Sequence, residues 1–345
     1  MGDQAISEKI RLKKNSTIPQ VMKPSYLRLW ETGAFSERLI KVRDLLAPCR
    51  LCPRECGVDR LAGQAGFCGQ GGRARVAKAL PHFGEEPPLT GIRGAGTVFF
   101  SGCALRCLYC QNFQISQEGL GKEVSAQALA DIFLDLQQQG CHNLDLVSPT
   151  PHWPFILEAL EIAIPRGLTL PMVYNTHGYL SLPLLKLLDG IVDIYLPDMK
   201  YGADEMAEQL SQAPCYTSLN RKAVREMFAQ TGTLKTSGEG LAIRGLLVRH
   251  LVLPENLSGT SAVLQDLLEI SPRIPLSLMA QYRPVHQAWD HPRLSRSLHK
   301  KEYKQALDLV KKFGFAEVFI QDLDSSEVYF PDFNREDPFQ TAGRK

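Results

Sequence analysis

Short apolar runs alternate with longer segments of helical periodicity along most of the chain, from Gly96 to Ile320. The apolar runs predict strands at Thr97–Ser101, Asn143–Ser148, Met172–Asn175, Val192–Leu196, Arg244–Leu253, Leu276–Ala280 and Glu317–Ile320. The periodic segments predict helices at Ser125–Gln139, His152–Ile164, Leu182–Leu188, Asp204–Gln212, Arg221–Gly232, Ser261–Ile270 and His299–Phe313. The first of these helices has clear ends, because Ser125 is a good N-cap and Gly140 follows its last turn.

This alternation predicts a parallel sheet whose strands are joined by helical crossovers. Six or seven such units favour a barrel, or an open partial barrel, over a flat sheet. In parallel barrels the chemistry lies at the C-terminal ends of the strands, so the residues that follow each strand are the candidates for function. The preceding part of the chain is different: residues 1–25 are polar, 26–48 predict one or two helices, and the Gly- and Pro-rich stretch 57–96 predicts loops and short strands.

Composition narrows the class of protein. The chain has 345 residues, 44% of them hydrophobic, so it can bury a substantial core in one large domain or two ordinary ones. A net charge of +2 points to neither nucleic acid nor a membrane surface as a partner. No apolar stretch reaches the roughly 18 residues of a spanning helix, and the polar N-terminus resembles no signal peptide. We therefore expect a cytoplasmic protein without a membrane partner.

Seven of the nine cysteines fall into two groups, and only Cys141 and Cys215 stand apart. Clustered thiols in a chain without an export signal are typical of metal or cluster ligands rather than disulfides. The two isolated cysteines are expected to be ordinary buried cysteines without a ligand role.

One group, Cys103, Cys107 and Cys110, directly follows a predicted strand. A cubic four-iron cluster is usually held by four thiolates, so three thiolates in one loop leave one iron free for another ligand. The alternatives are unrelated cysteines or a zinc site. Zinc in a structural site requires four ligands, and the local sequence offers no fourth Cys or His.

The segment Cys103-Ala-Leu-Arg-Cys107-Leu-Tyr-Cys110 resembles the signature loop of the radical S-adenosylmethionine (SAM) superfamily, including the aromatic Tyr109 before the third cysteine. The resemblance implies a partial (β/α)6 TIM-type barrel at residues 96–325, with a Cys-rich N-terminal extension at 1–95 and a tail at 326–345. It also implies a [4Fe–4S] cluster on these three cysteines. SAM bound at that cluster would be reductively cleaved to a 5′-deoxyadenosyl radical that abstracts hydrogen from a substrate.

Polar residues follow the later strands. Asn175, and the pair Asp198 and Lys200, resemble positions that hold the ribose and carboxylate of SAM in pyruvate formate-lyase activating enzyme and its relatives. Asp198 and Lys200 are two residues apart, so an extended chain directs both to the same side. Gln281 follows a later strand and is a candidate contact for SAM or substrate. The Gly-Gly-Glu-type motif of many relatives is missing, and Ser148 or Thr150 could replace it.

Further segments, including Cys52-Pro-Arg-Glu-Cys56-Gly and Leu278-Met-Ala-Gln-Tyr-Arg-Pro284, resemble an uncharacterised radical SAM family that is often labelled pyruvate formate-lyase activating enzyme-like. The resemblance implies an oxidoreductase that takes electrons from a donor such as flavodoxin or ferredoxin. A protein substrate of the glycyl-radical type is one expectation, but the substrate cannot be read from the sequence. The alternatives are methyl or aminocarboxypropyl transfer from SAM at the cluster, and a non-catalytic iron–sulfur or zinc protein.

The other group of cysteines comprises Cys49, Cys52, Cys56 and Cys68. Four thiolates, one of them distant in sequence, suit either a structural zinc or an auxiliary iron–sulfur cluster. A further interpretation leaves some of them redox-active or uncoordinated. We expect the four to share one metal or cluster that fastens residues 49–90 to the mouth of the barrel.

Overall fold

The structure is a computed structural model that describes residues 23–323 and 330–339. The predicted N-terminal arm up to residue 22 and half of the predicted C-terminal tail, residues 326–329 and 340–345, lie outside the described residues.

The strands are β1 (Ala74–His82), β2 (Ala95–Phe100), β3 (Lys122–Val124), β4 (Leu144–Val147), β5 (Met172–Thr176), β6 (Ile194–Pro197), β7 (Lys235–Thr236), β8 (Ala242–Leu246), β9 (Val248–Leu251), β10 (Leu276–Met279) and β11 (Val318–Ile320). The helices are α1 (Ser25–Glu31), α2 (Ala34–Arg43), α3 (Pro87–Thr90), α4 (Phe113–Ser116), α5 (Ala126–Gln138), α6 (Trp153–Ala163), α7 (Leu182–Leu187), α8 (Asp204–Ser211), α9 (Tyr216–Thr231), α10 (Thr260–Ile270) and α11 (Lys300–Phe313). Short 3-10 turns at Thr150–His152, Ile164–Arg166, Pro254–Asn256 and His286–Asp290 complete the described elements.

The strands form two sheets. The larger has eight strands in the order β3-β1-β2-β4-β5-β6-β8-β7, and the smaller has the order β11-β10-β9. Neighbours from β2 to β6 are parallel, as are the neighbours in the smaller sheet. A parallel bridge between Asp198 and Arg249 connects the end of β6 to β9. Helices lie between the parallel strands along the chain, so the predicted α/β class is confirmed.

Two local predictions were wrong. A single strand was expected over Arg244–Leu253, but the chain forms β8 and β9 with Leu247 between them. The break allows β8 to pair with β6 and β9 to pair with β10. At Gly245 the backbone has a φ of +129°, and an added Cβ would lie 2.4 Å from the Cα of Leu234. The close approach of β7 therefore requires a glycine at this point.

The nine-residue strand β1 was also unexpected, because its segment predicted loops and short strands. β1 pairs antiparallel with β2 from Val76 to His82. Its own sequence is only weakly strand-like, and the fully buried β2 supplies the partner that stabilises it.

The core lies between the parallel strands and the helices that cover them. Ser125 caps α5 by accepting a hydrogen bond from the amide of Ala128, as its sequence predicts. α5 and α6 pack together against the sheet with the large apolar residues Phe133 and Trp153, both fully buried. This packing supports the parallel strands β2, β4, β5 and β6, whose C-terminal ends lie at one edge of the sheet. Among the described residues, no helix combines the length and apolar character that crossing a membrane requires.

Candidate functional site

A cavity of about 740 Å³ lies at the C-terminal ends of the parallel strands. Its wall includes residues that directly follow β2, β4, β5, β6 and β10. The candidate ligands from the sequence that line it are Cys103, Cys107, Tyr109, Cys110, Asn175, Asp198, Lys200 and Gln281. Residues that are distant in sequence therefore meet in one cavity.

The loop that carries the three cysteines is held by the C-terminus of α8. The amide of Arg106 donates to the carbonyl of Ser211 at 3.0 Å, and the amide of Leu108 donates to the carbonyl of Leu210 at 2.9 Å. These bonds satisfy two carbonyls that a helix end leaves without intrahelical partners. The loop conformation thus depends on an element about a hundred residues later in the chain.

Each of the three sulfurs has a hydrogen-bonding neighbour in the protein. The amide of Leu105 lies 3.4 Å from Cys103, the hydroxyl of Ser211 lies 3.0 Å from Cys107, and that of Ser116 lies 3.2 Å from Cys110. Each of the three cysteine sulfurs in this loop therefore has one hydrogen-bond donor beside it. Iron–sulfur clusters are held by cysteine thiolates and tuned by hydrogen bonds to their sulfurs, so this loop fits three ligands of a [4Fe–4S] cluster.

Burial raises the pKa of the Cys107 thiol to about 11, although the nearby Lys200 opposes the shift. Burial likewise raises the pKa of Cys103 and of Cys110. A buried thiol of this kind stays protonated unless a cation replaces its proton, and metal binding does so.

Lys200 and Asp198 lie on the same side of the chain after β6. The Lys200 ammonium is 2.6 Å from the Asp198 carboxylate. Burial lowers the pKa of Lys200, but Asp198 and Cys107 raise it more, so the net pKa lies above its usual value. The hydroxyl of Tyr216 accepts from the Lys200 amide and lies within hydrogen-bond distance of the Asp198 carbonyl, which fixes the backbone of the pair.

Asn175 belongs to a buried polar network that reaches into the cavity. Its side chain lies 3.4 Å from both Arg249 and Asp145. Arg249 also binds the carboxylates of Glu85 and Glu86, with 2.7 Å between its Nε and Glu86. Burial and the adjacent Glu85 raise the pKa of Asp145 well above its usual range.

Side chains along β9 point alternately to opposite faces, so only one of the neighbouring polar residues Arg249 and His250 faces the cavity. Arg249 lines the cavity, whereas His250 is fully buried and bonded to Met199 and Thr260. Neighbouring side chains of a strand point to opposite faces, which accounts for this difference. No local sequence pattern indicates a role for Glu85 and Glu86, which lie in the Gly- and Pro-rich stretch before β2.

Gln281 and Tyr109 are both tied to neighbouring polar groups. The amide of Gln281 donates to Gln111 at 3.2 Å and its carbonyl accepts from Gln321 at 3.0 Å. The hydroxyl of Tyr109 lies 2.6 Å from that of Tyr201, while its ring edge meets Tyr282. The side chains remain in the cavity wall, but their polar atoms already have protein partners.

The two candidates for the missing Gly-Gly-Glu-type motif are separated. Ser148 lines the cavity, with a φ of +54°. Thr150 is buried away from it, and its hydroxyl lies 2.8 Å from that of Tyr174. Of the two, only Ser148 is in position to contact a ligand there.

The four N-terminal cysteines surround a second, much smaller cavity together with Arg60 and Thr150. All nine cysteines are free; Cys141 is buried as expected, but the expectation that Cys215 is buried was wrong, because it lies exposed just before the first turn of α9. In the described part of the chain, no three or more His, Cys, Asp or Glu side chains are grouped as a single metal ion requires. Burial raises the pKa of Cys52 to about 12. The guanidinium of Arg60 is almost fully buried beside these thiols and donates to the carbonyl of Pro151 at 2.7 Å.

The two cysteine groups are joined by an aromatic ring between two guanidinium groups. Arg54 lies 3.8 Å from the ring centre of Phe67, and Arg106 lies 4.6 Å from it. Arg54 also donates to the carbonyl of Ala104 at 3.0 Å. Because Phe67 adjoins Cys68, and Arg106 lies within the three-cysteine loop, the two groups are neighbours in space.

Comparison with known proteins gives one match to a protein-family model. Residues 90–160 match the model described as a 4Fe-4S single cluster domain. Four cysteines fall in that range, but Cys141 lies beside Gly96 at the start of β2. At about 3.3 Å per residue, the length of β2 places Cys141 roughly 15 Å or more from the three-cysteine loop.

Two proteins of Methanocaldococcus jannaschii are similar to the chain. Uncharacterized protein MJ0674 is 28% identical over 282 residues, which cover 79% of this chain and 77% of that protein. Uncharacterized protein MJ0808 is 27% identical over 187 residues, which cover 48% and 52%.

Among solved structures, SuiB of Streptococcus suis matches with a TM-score of 0.44 and 11% identity, over 66% of this chain and 49% of SuiB. SuiB bound to S-adenosylmethionine matches with a TM-score of 0.44 and 12% identity, over 67% and 52%. The chain spans about half the length of the SuiB chains that it matches.

Proposed function

We propose that this protein is a radical SAM enzyme. A [4Fe–4S] cluster held by Cys103, Cys107 and Cys110 would supply the electron that cleaves SAM to the 5′-deoxyadenosyl radical, which abstracts hydrogen from a substrate. The observation that carries this proposal is the meeting of the three cysteines with the Asp198–Lys200 pair in one cavity, in a chain whose residues 90–160 match a 4Fe-4S domain.

The proposed fold is an open (β/α)6 barrel. Four neighbouring parallel strands, β2, β4, β5 and β6, support this interpretation. The series would continue through the bridge between Asp198 and Arg249 into β9 and β10. The cavity at their C-terminal ends is where barrel enzymes bind their ligands.

The residues of the chain have distinct proposed roles. Lys200 would bind the SAM carboxylate with its ammonium, and Asp198 would accept hydrogen bonds from ribose hydroxyls. Asn175 would contribute a side-chain amide to the same ligand, and Tyr109 and Gln281 would shape the wall around it. The buried walls would exclude water, which protects a reactive radical from side reactions.

The proposal also extends to the substrate and the electron donor. A glycyl-radical-type protein is the proposed substrate, because the motifs resemble pyruvate formate-lyase activating enzyme-like proteins. The electron would come from a small cytoplasmic donor of the flavodoxin or ferredoxin class, which the protein would meet in the cytoplasm.

The test is anaerobic reconstitution of the purified protein with iron and sulfide, followed by SAM and reductant. Formation of 5′-deoxyadenosine supports the radical route. Methylthioadenosine or a methylated product would instead indicate aminocarboxypropyl or methyl transfer. A protein that assembles its cluster but neither binds nor consumes SAM would be a non-catalytic iron–sulfur protein, and the proposal would be wrong.

We also propose a second metal centre on Cys49, Cys52, Cys56 and Cys68. The four line one small cavity, and Arg60 would offset part of the negative charge of four thiolates. Either zinc or an auxiliary iron–sulfur cluster fits this set of donors. Metal analysis of a Cys52→Ser variant distinguishes zinc from an iron–sulfur cluster.

A further inference from the structure

Three hydroxyl groups form a buried chain that ends at one of the cluster cysteines. The Tyr109 and Tyr201 hydroxyls are 2.6 Å apart, and Tyr201 lies 2.5 Å from the Ser211 hydroxyl. The Ser211 hydroxyl lies 3.0 Å from Cys107 Sγ. The side chains of all three hydroxyl residues are buried, so water does not compete for these bonds.

The sulfur end fixes the direction of the chain. A thiolate that ligates iron has no proton, so Ser211 must donate to Cys107. A serine hydroxyl has only one proton, so Ser211 must accept from Tyr201, and Tyr201 must in turn accept from Tyr109. All three O–H groups therefore point toward the sulfur, an arrangement in which each bond polarises the next.

We propose that this hydroxyl chain raises the reduction potential of the cluster at Cys103, Cys107 and Cys110, with Ser211 as the residue that acts on Cys107. The inference rests on the proposed function, because it needs a cluster at these cysteines. Reduction adds negative charge that is shared with the thiolates, and a hydrogen bond to a sulfur stabilises the charge. Because the bond lies in a dry interior, it is electrostatically stronger than the same bond in water.

The position of Ser211 ties this effect to the architecture of the site. Ser211 is the last residue of α8, whose terminal carbonyls receive the amides of Arg106 and Leu108 from the cluster loop. The helix end carries partial negative charge, which disfavours an additional electron nearby. The Ser211 hydroxyl at the same place acts in the opposite direction. The C-terminus of α8 would thus hold the loop while its last side chain offsets the electrostatic effect of the helix end.

A competing role for Ser211 is purely structural, as a link between α8 and the loop. The two roles differ in what they predict for Tyr201. If the serine only fixes the loop, removal of the Tyr201 hydroxyl leaves the cluster potential unchanged. If the chain is polarised toward Cys107, that removal weakens the Ser211 bond and lowers the potential without changing any ligand.

The experiment is a redox titration of the reconstituted protein, followed by visible absorption and electron paramagnetic resonance, with iron content measured in every sample. We expect Ser211→Ala to make reduction about tenfold less favourable, which equals 59 mV for a one-electron couple. Tyr201→Phe should shift the potential in the same direction by less. Ser211→Thr, which keeps a hydroxyl, should restore the potential toward the wild-type value.

The matched control is Ser258→Ala, since Ser258 is another fully buried serine with side-chain hydrogen bonds but none to a cysteine. Its potential should equal that of the wild type. If Ser211→Ala holds a full cluster at the wild-type potential, the inference is wrong. If Ser211→Ala loses the cluster, Tyr201→Phe decides alone, and an unchanged potential there overturns the inference. Failure of the wild type to assemble a cluster would refute the proposed function as well.

Discussion

The ammonium of Lys200 lies 2.6 Å from the carboxylate of Asp198, at the edge of the cavity that also contains the three clustered cysteines. Within the pair each group neutralises the charge of the other. A bound molecule with a carboxylate and hydroxyl groups could take over both, because the cation prefers the carboxylate and the anion can accept from the hydroxyls. We therefore propose that the pair binds a ligand that carries both kinds of group, as SAM does.

Lys200→Ala should weaken SAM binding while the cluster absorption stays intact. A lost hydrogen bond to a charged group is worth about 1.5–3 kcal/mol, or roughly ten- to more than a hundredfold in affinity. Calorimetric titration of SAM into the reconstituted protein measures the change. The exposed Lys222→Ala on α9 is the control and should bind normally. Equal SAM affinity in the Lys200→Ala variant would return the pair to a structural role.

Cys107→Ala should abolish both the spin signal of a SAM-bound cluster and the formation of 5′-deoxyadenosine. Two remaining cysteines, Cys103 and Cys110, leave two irons of the cube without a protein ligand. The matched control is Cys141→Ala, which removes a buried cysteine from the same matched range, residues 90–160, but from the other end of β2. Anaerobic product analysis compares the two. Normal SAM cleavage by Cys107→Ala would refute the assignment of the cluster ligands.

The sequence alone predicts most strands and helices from β2 to β11, because apolar periodicity is local information. It also predicts Asp198 and Lys200 as neighbours, because two residues in an extended chain share a side. The Asp198–Lys200 distance in the structure agrees with that geometry.

Contacts between distant segments are a different kind of information. Ser211 touches Cys107 across 104 positions of the chain, and Arg249 binds Glu86 across 163. Neither serine nor glutamate has a distinctive local pattern, so only the packing of α8 and of the chain before β2 brings them to the site. The same reason explains β1, whose strand conformation depends on its partner β2.

His250 should give the stability of the fold a dependence on pH. Burial lowers its pKa from 6.5 to about 4, although the carbonyl of Met199 opposes the shift. Because the unfolded chain takes up the proton first, stability is full above pH 6.5 and is lost as the pH falls toward 4. Between pH 6.5 and 5 this residue should account for on the order of 1–2 kcal/mol of the loss in the free energy of unfolding.

Anaerobic denaturant titrations at several pH values measure this contribution. His250→Gln should lower stability at pH 7 but show a shallower decline toward pH 5 than the wild type. Val263→Ala is the control, since it removes buried apolar atoms from the same helix, α10, and keeps both the titrating ring and its hydrogen bonds. Its stability should be lower at every pH, with the wild-type slope. Parallel curves for His250→Gln and the wild type would contradict the prediction.

Cys52→Ser should release the N-terminal cysteine segment before it harms the rest of the fold. The stretch from Cys49 to Cys68 has few apolar residues, so binding energy at a shared metal centre would supply much of its folding energy. Limited proteolysis under anaerobic conditions should therefore cut within residues 49–90 sooner in the variant. The contacts of Phe67 with Arg54 and Arg106 should slow this cleavage but not prevent it, because cation–π contacts contribute only about 0.5–2 kcal/mol each.

Metal analysis of the same variant decides what the four cysteines bind. Loss of one zinc per chain would indicate a structural zinc, whereas loss of about four irons would indicate an auxiliary cubic cluster. Cys215→Ser, at an exposed cysteine, is the control and should keep the full metal content. Cys107→Ala should remove only the proposed SAM cluster. The metal lost in Cys107→Ala and the metal lost in Cys52→Ser should therefore be different. If Cys52→Ser changes neither the zinc nor the iron content, the four cysteines do not form a common site. In that case we expect no increase in proteolysis of residues 49–90.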